Sequence, residues 1–393
     1  SQVASQGVGD FNTYAAGFDA AWELDFWGRF RRGIEAADGD LLASVANYDD
    51  VLVSLVGEVA ATYVRIRVLE EQLTLARSNA RIQSESLEVA RARFEAGGTS
   101  ELDVQQATAL LEDTEADIPE FETQLRQAQN SLAVLLGLPP TDLADVLGSA
   151  SGIPTPPPTV MVAIPAKLLA RRPDVRRAES QLAAQSARIG VAKSDLYPRI
   201  QLTGSAGLTS DQAAKFFQGR SFEGIGGPQL TWPVFNYGRI IDEVRVQDAA
   251  FQELVAVYAN TVLVAQREVE DAIVAYLRGY DKVAHLERST QAATRAVELS
   301  LIQYRGGATS YTAVLTAQQA KIEEDRRLTT TRGDVTLAVV ALYKALGGGY
   351  EIHGVDDFVP EATKAEMRER TWWGDMLEDR EQAADVDAAK SDT

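Results

Sequence analysis

The chain has 393 residues, 57 acidic and 38 basic, a formal charge of −19, and no cysteine. That balance argues against nucleic acid or anionic headgroups as the main partner, and the lack of thiols excludes a disulfide framework or a thiolate metal site. The only two histidines, His285 and His353, lie in separate segments and propose no metal centre.

No run of about 18 apolar residues marks a transmembrane helix, but a membrane β-strand needs only about 9–11. Residues 14–26 alternate with a period of two. Tyr14, Ala16, Phe18, Ala20, Trp22, Leu24 and Phe26 share one face, and Asp19, Glu23 and Asp25 share the other. The pattern predicts a strand with its first face against an apolar medium and its three carboxylates against water. Its length suits a tilted membrane strand, with Trp22 and Trp27 at the interface. An edge-exposed strand of a soluble sheet is the alternative for this stretch alone.

Gly28-Arg29 ends the strand and predicts a helix over 30–96. Leu41, Val45, Tyr48, Leu52, Leu55, Val59, Thr62, Ile66, Leu69, Leu73, Ala76 and Ala80 step by four and three, a heptad seam. Val53, Val56, Val64, Leu75, Ile82 and Val89 suggest a second contact face. At ~1.5 Å per residue such a helix is about 100 Å long and needs partners along its length. Gly97-Gly98 stops it. Thr99 or Ser100 is expected to cap the return helix, with Asp103 meeting its N-terminal N–H groups. That helix runs to about Leu136, with Pro119 as a possible kink or break, and stops at Gly137.

Residues 138–172 are rich in proline and read as a connection. A short helix is predicted from Pro173-Asp174 to about Ser194. Strands return where Ile200, Leu202, Gly204, Ala206 and Leu208 alternate with Gln201, Thr203, Ser205 and Thr209, and again over 222–234 with Leu230 and Trp232 on the apolar face. Pro228 inside the last strand implies an irregularity or an N–H that the ladder does not need. A second pair of helical patterns covers 240–305 and 310–346. The acidic tail, 348–393, is expected to dock partly and end in disorder, with Trp372-Trp373 its one apolar feature.

The second helical pair copies the first. Phe94, Gly97, Thr99, Ser100 and Val104 correspond to Tyr304, Gly307, Thr309, Ser310 and Val314, each 210 residues on (307 − 97 = 210). Gly28-Arg29 recurs as Gly238-Arg239, Leu136-Gly137 as Leu346-Gly347, and Glu58 as Glu268, hinting at a shared structural role. Subtracting 210 from the helix at 173–194 and the strand at 199–209 gives positions before Ser1, so an opening helix and strand are expected to be missing. Residues 1–13 would be what remains of an inter-strand loop.

Chemistry is scarce. The glycines from Gly219 to Gly227 lack a βαβ context, so a phosphate site is not supported, and Glu268, Glu270 and Asp271 read as a solvated helix face rather than a catalytic cluster. Physical function therefore rests on closure: open strand edges in a bilayer leave unsatisfied backbone groups. The strands must be completed by other copies of the chain, and a β-barrel continued by a helical tube meets both demands.

Three runs are more specific. Trp-Glu-Leu-Asp-Phe-Trp-Gly-Arg-Phe-Arg (22–31), Ala-Arg-Arg-Pro-Asp-Val-Arg-Arg-Ala-Glu (170–179) and Tyr-Pro-Arg-Ile-Gln-Leu-Thr-Gly-Ser-Ala-Gly (197–207) resemble the outer membrane factor family. The likeness is strongest to its OprM- and NodT-like branch, with TolC more distant, and it reaches to about Gly349.

The resemblance implies an α+β membrane protein with two internal repeats. It would be a homotrimer whose twelve-stranded barrel, four strands from each complete chain, continues as an α-helical tunnel. Expected segments are 1–29 (partial barrel), 30–137 (helical hairpin), 138–172 (equatorial connection), 173–196 (helix), 197–237 (barrel hairpin), 238–347 (second helical hairpin) and 348–393 (equatorial segment and tail). The implied role is the exit duct of a tripartite efflux system of the RND type, in the outer membrane and periplasm. A type I secretion duct or, less in keeping with the strands, a soluble periplasmic coiled-coil adaptor are the alternatives. Partners would be outer-membrane lipid, a periplasmic adaptor and an inner-membrane transporter, with no enzymatic activity, cofactor or nucleic acid. Members of this branch often begin with a lipidated cysteine, which this sequence lacks.

By position, Gly97, Gly98, Thr99, Ser100, Gly306, Gly307, Thr309 and Ser310 inherit the adaptor-docking tip, and Asp103 and Tyr304 the gate. Ala313 and Thr316 stand where relatives often carry gate aspartates, so a carboxylate ring would rest on Asp103. Asp19, Glu23 and Asp25 would line the barrel lumen, and Trp22 and Trp232 the membrane interface. A purely capping Asp103 is the structural alternative.

Overall fold

The computed structural model describes residues 13–141, 143–148, 152–157, 170–348 and 361–370. Most of the expected loop remnant, part of the proline-rich connection and Trp372-Trp373 lie outside the described residues. The chain divides into two compact units, 1–44 with 177–259, and 45–176 with 260–393.

The first unit holds a three-stranded antiparallel sheet in the order β1-β2-β3: β1 Tyr14–Glu23, β2 Arg199–Ser210 and β3 Phe222–Thr231. Register decides its faces. Phe18 sits opposite Ala206, Trp22 opposite Leu202, Ile200 opposite Leu230 and Leu208 opposite Phe222. Cross-strand partners share a face, so one side collects Phe18, Trp22, Leu202, Leu208, Phe222 and Leu230, all open to the surroundings or half so. The other side collects Asp19, Glu23, Gln201, Thr203, Ser205 and Glu223, with Ile225 the apolar exception. Pro228 pairs in register with Leu202 without a bulge.

The first strand is shorter than its alternation. It ends at Glu23, and Asp25 does not lie on a strand face. Its carboxylate accepts the backbone N–H groups of Phe30 (3.0 Å) and Arg31 (3.1 Å) and so caps the first turn of α1, Arg29–Glu95. Helix starts leave orphan donors and aspartate fits them well; that demand overrides the strand pattern. Gly28 makes the turn at φ 75°. Trp27 stacks on Tyr197 at 4.4 Å and donates its indole N–H to the Pro198 carbonyl. Helix α4, Pro173–Ser194, packs on the start of α1 so closely that a Cβ on Gly39 would stand 2.9 Å from Ala184. It also holds α5, Tyr237–Arg305, through Gln185, whose side chain donates to Gln247.

The second unit is helical. α2 spans Glu101–Leu135, passing through Pro119 without a break, and α6 spans Tyr311–Ala345; α3 (Ala144–Leu147) and α7 (Glu361–Arg370) are short. The ends Glu95 and Arg305, Glu101 and Tyr311, and Leu135 and Ala345 all differ by 210 (305 − 95, 311 − 101, 345 − 135). Gly97, Gly137, Gly307 and Gly347 have φ between 68° and 75°. In each case the glycine N–H bonds three residues back and the next N–H five back, as from Gly97 to Phe94 and Gly98 to Arg93, which is a Schellman stop.

Packing forms several small clusters. α1 and α2 share Ile66, Leu69, Ala128, Leu132 and Ala133; α5 and α6 share Val269, Ala272, Ile273, Leu342 and Ala345. The heptad seam is buried at Val45 and from Ile66 through Leu69, Leu73 and Ala76 to Ala80, but Leu41, Tyr48 and Leu55 are exposed while Ala43, Ala46 and Val53 are buried instead. A straight helix drifts by ~20° per heptad against a 3.5-residue repeat, so one stripe does not stay on one face for five heptads.

Candidate functional site at the paired turns

The two Gly turns share one apolar cluster. Ala80, Leu87 and Ala90 from α1, Ala107 and Leu111 from α2, Tyr304 from α5, and Tyr311 and Val314 from α6 are all buried in it. Gly97, Gly98, Ser100, Gly306, Gly307 and Ser310 are exposed beyond it, and Thr99 and Thr309 are half-buried.

Tyr304, 1% exposed, is the centre of the arrangement. Its hydroxyl donates to the Asp103 carboxylate at 3.1 Å, and the same carboxylate oxygen accepts the Thr99 hydroxyl. Burial first, and then the neighbouring Asp103 charge, push the Tyr304 hydroxyl above the usual tyrosine value, so it is a donor at neutral pH. The ring meets Tyr311 edge-on at 5.3 Å, and the Tyr311 hydroxyl lies 3.3 Å from Ser86 Oγ.

Asp103 therefore does not meet backbone N–H groups as expected. Ser100 takes the N-cap position with extended backbone but makes no side-chain cap bond, and neither does Ser310. The carboxylate is spent instead on two hydroxyls, one of them 201 residues away. Ala313 and Thr316 are exposed, and Thr316 bonds back to the Thr312 carbonyl.

Arg93 is the residue that sequence reasoning passed over. Its guanidinium lies over the Tyr304 ring, 4.5 Å from the centroid, and donates to the Tyr304 carbonyl and to the Gly98 carbonyl (3.1 Å). It thus ties the first turn to the end of α5. The position 210 residues on is Gln303, a difference between copies that was the available signal.

In the first unit, Asp19 is exposed on the polar sheet face, and Glu23 accepts from Gln201 at 3.1 Å with Arg29 at 3.7 Å. Trp22 is 64% exposed on the apolar face. Trp232 lies one residue past β3, not within it, and its N–H is shared between the Tyr237 hydroxyl (3.1 Å) and the Leu196 carbonyl (3.3 Å). Among the described residues, no group of His, Asp and Glu side chains is placed to hold a metal ion, and no helix is long and apolar enough to cross a membrane.

A family model described as outer membrane efflux protein matches residues 2–138 and 164–348. The chain belongs to that family. Relatives of this efflux protein include the toluene efflux pump outer membrane protein TtgI of Pseudomonas putida, 34% identical over 345 residues, 86% of this chain and 72% of the relative. The pyoverdine export outer membrane protein OpmQ of Pseudomonas putida is 32% identical over 340 residues, 86% and 71% of the two chains. Nodulation protein T of Rhizobium leguminosarum bv. trifolii is 31% identical over 349 residues, 86% and 72%. Among solved structures, the outer-membrane channel OprN superposes with a TM-score of 0.81 at 29% identity, covering 86% of this chain and 81% of that one. CusC gives 0.79 at 27%, covering 88% and 81%. The protein is thus an outer-membrane efflux channel of the OprM/NodT-like type, not an enzyme.

Proposed function

We propose that this efflux protein is the passive exit duct of a tripartite pump, joined by its paired turns to a periplasmic adaptor and through it to an RND-type inner-membrane transporter. The observation that carries the reading is the three-stranded sheet. It has an exposed apolar face, a polar face behind it, and outer edges on β1 and β3 with no partner strand among the described residues. Such a sheet is stable in lipid only when closed, so strands of other copies complete it as a trimeric barrel. Phe18 and Trp22 then face lipid, Trp22 and Trp232 mark the interfacial zone, and Asp19 and Glu23 line an acidic lumen. Asp25, occupied as a helix cap, stands at its inner rim.

The turns Gly97–Ser100 and Gly306–Ser310 form the docking tip, and the Asp103–Tyr304 bond is the latch that keeps it narrow. Two measurements test this reading. The intact protein should be recovered from outer membranes as an SDS-labile trimer; recovery as a soluble monomer would refute the duct. Asp103→Ala should raise single-channel conductance or change its block by divalent cations, and unchanged conductance and block would return Asp103 to a structural role.

A further inference from the structure

In the helical unit, α1, α5, α6 and the proline-rich connection border a cavity of about 430 Å³. It lies well away from the paired turns. Glu71, its contribution from α1, stands 26 residues before Gly97 (97 − 71 = 26), or about 40 Å along the helix. The connection supplies one wall with residues 152–156. Two hydrogen bonds pin that wall in place: the Thr336 hydroxyl donates to the Pro154 carbonyl at 2.8 Å, and the Tyr276 hydroxyl donates to the Pro157 carbonyl. In volume the cavity falls among small-molecule pockets, which run to about 300–1,000 Å³.

Its lining has a definite chemistry. Ile153, Pro154, Pro156, Val283 and Val335 make much of it apolar, and Tyr280 adds an aromatic ring. Pro154 and Pro156 have no N–H, so the wall from the connection is short of donors. Three charged side chains border the space. Arg332 donates to Glu287 at 2.7 Å, and these two charges cancel. Glu71 is half-buried and has no hydrogen-bond or ion-pair partner among the described residues. A carboxylate drawn part-way out of water without a partner is costly, and a bound cation supplies what it lacks.

The classes of ligand separate on these grounds. An anion meets an uncompensated negative charge, and a neutral apolar molecule leaves Glu71 unpaired and further desolvated. A bare metal ion needs several oxygen ligands, which an apolar lining with one free carboxylate does not offer. An ammonium group attached to an apolar body satisfies both parts of the lining, and an aromatic face such as that of Tyr280 favours the same charge.

We propose that this cavity binds an amphipathic organic cation, its ammonium group paired with Glu71 and its apolar body against Ile153, Pro154, Pro156 and Val335. Binding here requires neither an open nor a closed tip, so it is judged apart from the duct reading.

Three probes that share one body and differ in the head group test it: naphthylmethylammonium, naphthylmethanol and naphthylacetate. Each is titrated by calorimetry into the folded, full-length chain in nanodiscs of uncharged lipid. The ammonium should bind at least about 10-fold more tightly than the alcohol, and the carboxylate more weakly than either. Glu71→Gln should bring the ammonium down to the affinity of the alcohol while leaving the alcohol as it was. Ala284→Trp, at an exposed helix position on the cavity wall, should weaken the ammonium and the alcohol alike by about 10-fold or more by filling the space. Equal affinities for ammonium and alcohol overturn the proposal, as does a preference for the ammonium that survives Glu71→Gln. So do tighter binding of the carboxylate, binding that Ala284→Trp does not weaken, and no binding at all.

Discussion

Replacing Arg93 by glutamine, the residue that the second copy carries at Gln303, should loosen the first turn without unfolding the helices. The guanidinium makes three interactions: it lies 4.5 Å from the Tyr304 ring centroid and donates to the carbonyls of Tyr304 and Gly98. A cation over an aromatic face at a half-exposed site contributes about 0.5–1 kcal/mol. Each hydrogen bond from a charged donor is worth roughly 1.5–3 kcal/mol when buried, reduced to about 1 here because Arg93 is partly solvated. The sum is about 3 kcal/mol. Glutamine can recover one of the two hydrogen bonds, which leaves a loss of about 2 kcal/mol, or roughly 30-fold in the local opening equilibrium. Amide hydrogen exchange reads this directly at Gly97, Gly98, Gly307 and Ala308, whose N–H groups close the two Schellman stops. Protection there should fall roughly 30-fold while that of Ile66 and Leu132 stays put. Arg93→Lys should recover at most about half, because a point charge cannot serve two carbonyls and a ring together. Undiminished protection at the turns in Arg93→Gln would refute the assignment of Arg93 as a tie between them.

Arg172 holds Asp174 through two contacts (3.0 and 2.8 Å), Glu268 at 2.8 Å and the Ala345 carbonyl at 2.7 Å, so Arg172→Met should cost about 2–3 kcal/mol, the lower end reflecting a half-exposed Glu268. Glu268→Gln, measured in the same denaturant titration, should cost under about 1 kcal/mol. Gly307→Ala should destabilise its turn by about 1 kcal/mol, because φ is +75° while the nearest atom to an added Cβ is 3.6 Å away; Gly306→Ala, without a positive φ, should be nearly neutral by the same exchange measurement. Tyr304→Phe keeps the ring against Arg93 and Tyr311 but removes the donor to Asp103, and should raise conductance in the same direction as Asp103→Ala. Combined with Asp103→Ala it should add little, since both act on one bond.

The turns were legible because glycine at a helix end has a backbone reason to be there, and two copies at one spacing made the reason visible twice. Strand faces were legible for the same kind of reason: a period of two survives in the sequence whatever it packs against. What failed was local competition. Asp25 continues the alternation of β1, yet the orphan N–H groups of α1 claim it. Leu41, Tyr48 and Leu55 continue the heptad, yet helix drift turns them outward. Asp103 and Tyr304 were placed by position, but their bond was not, because nothing in either local pattern refers to a residue 201 positions away. Arg93 was hidden by its ordinariness. A basic residue in the last turn of a helix already satisfies the macrodipole, so only its replacement by Gln303 in the second copy asks what else it touches.

If other copies complete the sheet at the edges of β1 and β3, which have no partner strand among the described residues, a genetic consequence follows. A chain that leaves its strands for other copies to complete has no finished form by itself, and each copy becomes part of its neighbours' walls. If three copies close one barrel, a cell making sound and defective chains equally holds only about one duct in eight free of a defective copy. A variant that folds, inserts and assembles but will not part at the tip should therefore poison its wild-type partners. One that fails to fold should be merely recessive. Co-expression would separate the two kinds of defect without any purified protein.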